Sequence, residues 1–312
     1  MSSPGHLLTT VIHNKSYPAI STSRPELSQA GRTVLVGGGS TGIGFSIAKS
    51  FAAAGASRVI IVGRRQSALD SAVAQVLTEY PGTEVLAYTC DVADEVSTEK
   101  LWSNLRKNSI LVDILVLNAA KLSPEHTILS LGTKKVWEEF VVNVKAPLDM
   151  TERFYKQEGR DSSRKLVSST RIIFPRESLL LLSSGAAHDY AAAAPWPNYM
   201  ATKNSATMLI QQIARNTKPT DMQVVSYHPG VHHTELVKGA AGDTGADTEL
   251  PWDFDDIRLP GDFAVWAASD EAAFLHGRFV WALWDVDELK AGPIRERIEQ
   301  DDNFLRVGIH GL

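Results

Sequence analysis

The chain has 312 residues, 44% hydrophobic and 21% charged, the balance of a folded soluble protein and not of a disordered one. Its 31 basic against 36 acidic residues leave a formal charge of −5, which argues against a nucleic-acid-binding surface. The one cysteine, Cys90, excludes an internal disulfide and a thiolate zinc site, and no apolar stretch approaches the roughly 18 residues of a membrane span.

The first residues contain only a short apolar run, Leu7 to Ile12, without a basic flank, and the chain ends His310-Gly311-Leu312 and not Ser-Lys-Leu. Neither a secretory nor a peroxisomal signal is expected, and the expected compartment is the cytoplasm. Residues 1–31 are rich in Ser, Thr and Pro and read as an N-terminal arm. Organised sequence starts at Thr33-Val34-Leu35-Val36. Comparable runs follow at Val59-Ile60-Ile61-Val62, Val85-Leu86-Ala87-Tyr88, Ile114-Leu115-Val116-Leu117, Leu179-Leu180-Leu181-Leu182, Val224-Val225-Ser226-Tyr227 and Phe279-Val280-Trp281. Helical spacing separates them: Ile43, Ile47 and Phe51 repeat every fourth residue, with Gly55 placed as a C-terminal cap. Short, continuously apolar strands alternating with helices predict an α/β fold. It is a single doubly wound Rossmann-type domain over 32–312, with a seven-stranded parallel sheet covered on both faces. Residues 157–177, polar and basic, read as an insertion before the fifth strand. Residues 232–262, with glycines, prolines and the acidic Asp253, Asp255 and Asp256, read as a loop on the substrate side.

Gly37-Gly38-Gly39-Ser40-Thr41-Gly42-Ile43-Gly44 lies directly after the first strand and opens a helix. Glycines there let the backbone approach a pyrophosphate, and a helix N-terminus supplies free N–H groups and a positive dipole end. The placement predicts dinucleotide binding, with Gly38, Gly42 and Gly44 as the working glycines and Ser40, Thr41 and Ile43 completing the loop. A carboxylate ending the second strand would accept from a free ribose 2′-hydroxyl, but this strand ends Val62-Gly63-Arg64-Arg65. Guanidinium groups there favour a 2′-phosphate, hence NADP(H). Asp91, after the third strand, is a candidate acceptor for the adenine amino group. Asn118, ending the fourth, is a candidate to hold backbone near the adenosine ribose.

Downstream, Ser183-Ser184 ends the leucine strand, and Tyr199 and Lys203 stand one helical turn apart on a shared face. With these residues in place, the chain resembles the short-chain dehydrogenase/reductase family over about residues 32–235. The family's glycine loop appears at 37–44, its Asn-Asn-Ala-Gly as Leu117-Asn118-Ala119-Ala120, and its helical asparagine as Asn143. Its serine appears as Ser184, its Tyr-x-x-x-Lys as Tyr199 and Lys203, and its Pro-Gly as Pro229-Gly230. Val231 follows, and Thr234 falls where the family contacts the nicotinamide carboxamide. The arm and the C-terminal tail look similar to fungal members. Three positions depart from the pattern: Gly37 replaces a threonine, Leu117 an asparagine and Ala120 a glycine. The last strand also reads Trp281-Ala282-Leu283-Trp284-Asp285 in place of the usual Asp-Gly-Gly ending.

The resemblance implies hydride transfer between nicotinamide C4 and a ketone or secondary alcohol, with Tyr199 as general acid/base. A tyrosine of pKa near 10 needs a fall of roughly three units, about 4 kcal/mol, to act as a base near neutrality. Lys203 would favour the phenolate and bind the nicotinamide ribose. Ser184 would hydrogen-bond the substrate oxygen, and Asn143 would hold a water leading from Lys203 to solvent. No metal is expected. The family also pairs through the helices that carry Asn143 and Tyr199, implying a homodimer or homotetramer, with Val136, Phe140 and Val144 offering one apolar face.

Three other readings compete. A hydrolase built on Ser184, His188 and Asp189 lacks a Gly-x-Ser-x-Gly elbow, and adjacent His and Asp do not easily orient one another. A metal at His232-His233 lacks a carboxylate cluster at ligand spacing, and lid residues are the expected reading. A non-catalytic NADP-binding scaffold of this fold would be expected to lose Ser184, Tyr199 or Lys203, which are all present. The residues leave the substrate unassigned. Four of the seven tryptophans lie between Trp252 and Trp284, either as core and interface packing or as an apolar wall for a lipophilic ketone.

Overall fold

Each of the seven apolar runs becomes a strand of one parallel sheet in the computed structural model, which describes residues 8–124, 126–158, 166–168, 171–173, 177–191, 193–240 and 253–308. In chain order the strands are β1 (Thr33–Gly37), β2 (Arg58–Gly63), β3 (Glu84–Thr89), β4 (Ile114–Leu117), β5 (Leu166–Ser168), β6 (Arg171–Ile173), β7 (Glu177–Leu182), β8 (Met222–His228) and β9 (Arg278–Trp281). The large sheet has the order β3-β2-β1-β4-β7-β8-β9, every neighbouring pair parallel. The chain winds outward from β1 to β3 and then crosses to β4. This reversal leaves a crevice beyond the carboxyl ends of β1 and β4.

The helices are α1 (Gly42–Ala53), α2 (Gln66–Glu79), α3 (Glu95–Lys107), α4 (Ile128–Leu131), α5 (Thr133–Phe140), α6 (Ala146–Tyr155), α7 (Pro197–Arg215), α8 (Glu235–Ala240), α9 (Leu259–Ala267), α10 (Val286–Lys290) and α11 (Gly292–Gln300). None among the described residues is long and apolar enough to cross a membrane. Successive strand residues point to opposite faces, and both faces are covered. Val34 and Val36 of β1 pack with Ile47 of α1, Leu69 of α2 and Phe263 of α9. Leu35 between them packs in a second cluster with Trp102 of α3, Phe154 of α6 and Ile210 of α7. The central strands β1, β2 and β4 are therefore apolar along almost their whole length and not at alternate positions. Gly55, at φ +80°, ends the turn after α1, where a left-handed residue is needed.

Two segments differ from the reading of the sequence. The arm is no surface appendage: Tyr17, Ile20 and Leu27 belong to the first cluster, and the Tyr17 hydroxyl donates to the Trp284 carbonyl at 2.9 Å. Asp285 pairs with His13 at 2.8 Å, and Glu288 accepts from the Thr10 hydroxyl and backbone, so the arm is sewn to the C-terminal helices. The insertion is shorter than 157–177. Gln157 still anchors the end of α6, accepting from Val112 N–H at 2.8 Å, and Glu177 already belongs to β7. Between them β5 and β6 form a separate antiparallel pair, and residues 159–165, 169–170 and 174–176 lie outside the described residues.

Candidate active site

A cleft of about 950 Å³ occupies the crevice. Of the expected cofactor residues, Gly38, Ser40, Thr41, Gly42, Ile43, Gly44, Arg64, Arg65, Asp91, Asn118 and Thr234 line it, and Tyr199, Lys203, Pro229, Gly230 and Val231 do not. The glycine loop is built for close approach. Gly38 and Gly42 have φ of +69° and +55°, and a Cβ on Gly44 would fall 2.2 Å from the Gly38 carbonyl oxygen. Asn118 Nδ2 donates to the carbonyls of Gly37 and Gly38, both at 3.1 Å, so its side chain braces the loop from below. Thr41 forms no side-chain cap on α1, which leaves the N–H groups of the first turn to a ligand. A pyrophosphate fits this cradle. At one end of the cleft Arg64 is exposed with no ion-pair partner among the described residues, and Arg65 reaches Glu235 of α8 at 2.9 Å. Asp91 lines the cleft but also serves a turn, accepting from Ala93 N–H at 3.0 Å.

The residues expected to carry chemistry come from the carboxyl end of β7 and from α7. Lys203 Nζ donates to the Leu182 carbonyl at 2.8 Å, the Ser183 and Thr207 hydroxyls meet at 2.6 Å, and Asn204 Nδ2 donates to the Ala187 carbonyl at 2.9 Å. One face of α7 is thus stitched to the segment that holds Ser184. Lys203 Nζ lies 5.5 Å from the centre of the Tyr199 ring. Burial pulls the Lys203 amine down from 10.5 to about 8. Burial, and secondly the Glu139 charge, push the Tyr199 phenol above its ordinary value. In this arrangement the Lys203 amine is turned toward Leu182, and burial is the main influence on the phenol.

Asn143 is buried against α7. It sits in a π turn, Val141–Lys145, between α5 and α6. Its Nδ2 donates to the Lys121 carbonyl at 2.8 Å and to the Thr202 hydroxyl at 2.9 Å, and its Oδ1 accepts from Lys121 N–H at 2.8 Å. The side-chain amide is committed to protein partners. It braces the loop after β4 against α7. Beyond β8, Val231 N–H donates to Asp255 Oδ2 at 2.8 Å, and Gly230, at φ +100°, has no room for a Cβ beside that carboxylate. The ring of His232 lies between the carbonyls of Pro229 (2.8 Å) and Asp255 (3.1 Å). It is a buried staple of the Pro229-Gly230 loop and not an outward-facing lid residue.

A family model for short chain dehydrogenases matches residues 32–244. The chain is a short-chain dehydrogenase. It is 32% identical over 305 residues to the short chain dehydrogenase/reductase nsrO of Aspergillus novofumigatus, covering 96% of each chain. It is 34% identical over 303 residues to a short chain dehydrogenase/reductase of Claviceps purpurea, covering 96% and 94%. Among solved structures it matches a short chain dehydrogenase of Shigella flexneri complexed with NADP, with a TM-score of 0.68 and 21% identity over 83% of this chain and 99% of that one. It also matches the NADPH-dependent 3-quinuclidinone reductase of Rhodotorula rubra, with a TM-score of 0.68 and 18% identity over 87% and 95%. At such identities the two structures speak for the fold alone. The family makes the dehydrogenase an oxidoreductase that works with a nicotinamide cofactor.

Other features of the dehydrogenase bear on the competing readings. His188 Nε2 accepts from Trp281 Nε1 at 3.2 Å, so that nitrogen is engaged by the indole and not by Ser184, which leaves the hydrolase reading without its base. Trp266, Trp281 and Trp284 are buried and pack in the core, while Trp252 lies outside the described residues. Sequence reasoning missed two residues of the site. Asp255 was legible only as one acid in an acidic stretch. Glu139 is a fully buried carboxylate beside Tyr199; its one signal is its place four residues before Asn143, on the same helical face.

Proposed function

We propose that the dehydrogenase is an NADP(H)-dependent carbonyl reductase acting on a ketone or the matching secondary alcohol, with Tyr199 as general acid/base. The observation that carries the cofactor choice is the end of β2, where Arg64 and Arg65 stand at the rim of the cleft and no carboxylate follows Gly63. Arg64 would meet the 2′-phosphate directly, and Arg65 on leaving Glu235. Gly38, Gly42 and Gly44 would admit the pyrophosphate, and the Pro229–Thr234 segment would face the nicotinamide.

Bound NADPH would supply the hydride. The Tyr199 hydroxyl gives its proton to the carbonyl oxygen in reduction and takes one from the alcohol in oxidation. Ser184 orients the same oxygen, and Lys203 releases Leu182 to reach the ribose. Half-buried Val136 and Phe140, with the exposed Trp137 beside them, support a homodimer or homotetramer built on α5 and α7, whereas Val144 packs inward on the core; the proposed compartment is the cytoplasm. The test compares NADPH and NADH binding by protein fluorescence, together with turnover on a panel of ketones. NADPH is expected to bind at least tenfold tighter, and Arg64→Ala to remove about 1.4 kcal/mol of that preference. Equal dissociation constants, or cofactor binding with no turnover on any ketone, would overturn the proposal.

A further inference from the structure

Arg64 and Arg65 end β2 side by side, yet they are not equally available. Arg64 has no ion-pair partner among the described residues, whereas Arg65 Nη2 meets Glu235 Oε2 at 2.9 Å. Glu235 stands 170 positions along the chain, as the first residue of α8. The pair joins two separate walls of the cleft, because Arg65 follows β2, Glu235 follows β8, and both line it together with Leu236. The segment after β8 also leans on the glycine loop: Thr234 Cγ2 lies 3.2 Å from where a Cβ on Gly42 would stand. Lys238, one turn along α8, is the local cation for this carboxylate, but Glu235 reaches to Arg65 instead. Both partners are mostly exposed, at 59% and 70%, and such a pair is cheap to exchange for another.

We propose that Glu235 is a specificity-determining residue for the cofactor, whose carboxylate competes with the 2′-phosphate of NADP(H) for Arg65 and so weakens NADPH binding while leaving NADH binding alone. The inference rests on the NADP(H) reading above. A guanidinium offers its paired N–H groups in one plane, the arrangement that one bidentate anion fills. A phosphate monoester carries more negative charge than a carboxylate and has three acceptor oxygens, so it takes Arg65 from Glu235, but the ion pair must be given up first. A carboxylate that stayed beside Arg65 would face a second anion well inside the screening length of about 8 Å at physiological salt. Only the phosphorylated cofactor meets either cost. NADH presents a ribose hydroxyl there, which neither displaces nor repels Glu235. Discrimination between cofactors is a difference of two affinities, and Glu235 acts on one of them. A contact that merely braced the cleft edge would act on both alike.

The test is Glu235→Gln, which removes the charge from an exposed position with little change of shape, and Glu235→Ala, which removes the side chain. Dissociation constants for NADPH, NADH and adenosine 2′,5′-diphosphate are read by protein fluorescence at low salt. In both variants the preference for NADPH over NADH is expected to rise at least threefold, on the order of what one exposed ion pair is worth, with NADH itself changed less than twofold. Adenosine 2′,5′-diphosphate, which lacks the nicotinamide, is expected to tighten by the same factor as NADPH, and the gain is expected to shrink at about 0.5 M KCl. A smaller rise in preference, equal tightening of NADPH and NADH, weaker NADPH binding, or a gain that salt leaves intact overturns the competition. If the unaltered protein binds NADPH and NADH equally, the NADP(H) reading falls and takes this inference with it. If it prefers NADPH and the variants leave that preference unchanged, the inference alone falls.

Discussion

Replacing Lys203 with methionine should make the protein more stable while it disables the enzyme. Lys203 is 4% exposed, and among the described residues its amine has one hydrogen bond, to the Leu182 carbonyl. A fall in its pKa from 10.5 to about 8 corresponds to about 3 kcal/mol of cost for keeping the charged form buried, at 1.36 kcal/mol per pKa unit. Methionine has similar length and no charge to desolvate. It forfeits the bond to Leu182, about 1 kcal/mol, which leaves a net gain of about 2 kcal/mol at pH 7. The sign of the pH dependence follows from linkage. Below pH 8 both folded and unfolded chains hold the proton and the full cost is present. Between pH 8 and 10.5 the unfolded chain keeps a proton that the folded chain has released, so the unaltered protein gains stability as pH rises. Urea unfolding should therefore show Lys203→Met ahead by about 2 kcal/mol at pH 7 and nearly level with the unaltered protein by pH 9.5. A stability difference that is the same at both pH values would refute the reasoning. So would a destabilised variant at pH 7.

Gly44→Ala places a methyl 2.2 Å from the Gly38 carbonyl oxygen and 2.4 Å from Asn118 Nδ2. NADPH affinity should fall at least tenfold, about 1.4 kcal/mol, while circular dichroism shows the helices retained. Tyr199→Phe keeps the ring and deletes the proton, so turnover on a ketone should fall roughly a hundred- to ten-thousand-fold with NADPH binding intact; an unaltered rate excludes the tyrosine mechanism. Ser184→Ala should lower kcat and leave the NADPH dissociation constant unchanged within twofold. Equilibrium sedimentation at micromolar concentration should give a multiple of 34.0 kDa, and a monomer alone would contradict the expected pairing.

The sheet and the glycine loop were legible because they depend on local pattern. Strands buried on both faces are mostly apolar, and a backbone that approaches a pyrophosphate closely needs glycines; both tendencies are written in runs such as Val34-Leu35-Val36 and Gly42-Ile43-Gly44. The Tyr199–Lys203 pair was legible as helical spacing joined to a family resemblance. What no local pattern carried was the destination of each polar side chain. Asn143 turns to Lys121 and Thr202, 22 and 59 positions away, and Asp255 closes on Val231 24 positions back. Tyr17 bonds a carbonyl 267 positions on, which makes part of the core from an arm that composition alone describes as loose. Hydrophobic burial is non-directional and survives as periodicity along the chain. Hydrogen bonds and buried charges need a particular partner at about 3 Å, and the partner of Glu139, 59 positions away at Asn198, exists only once α5 and α7 have packed.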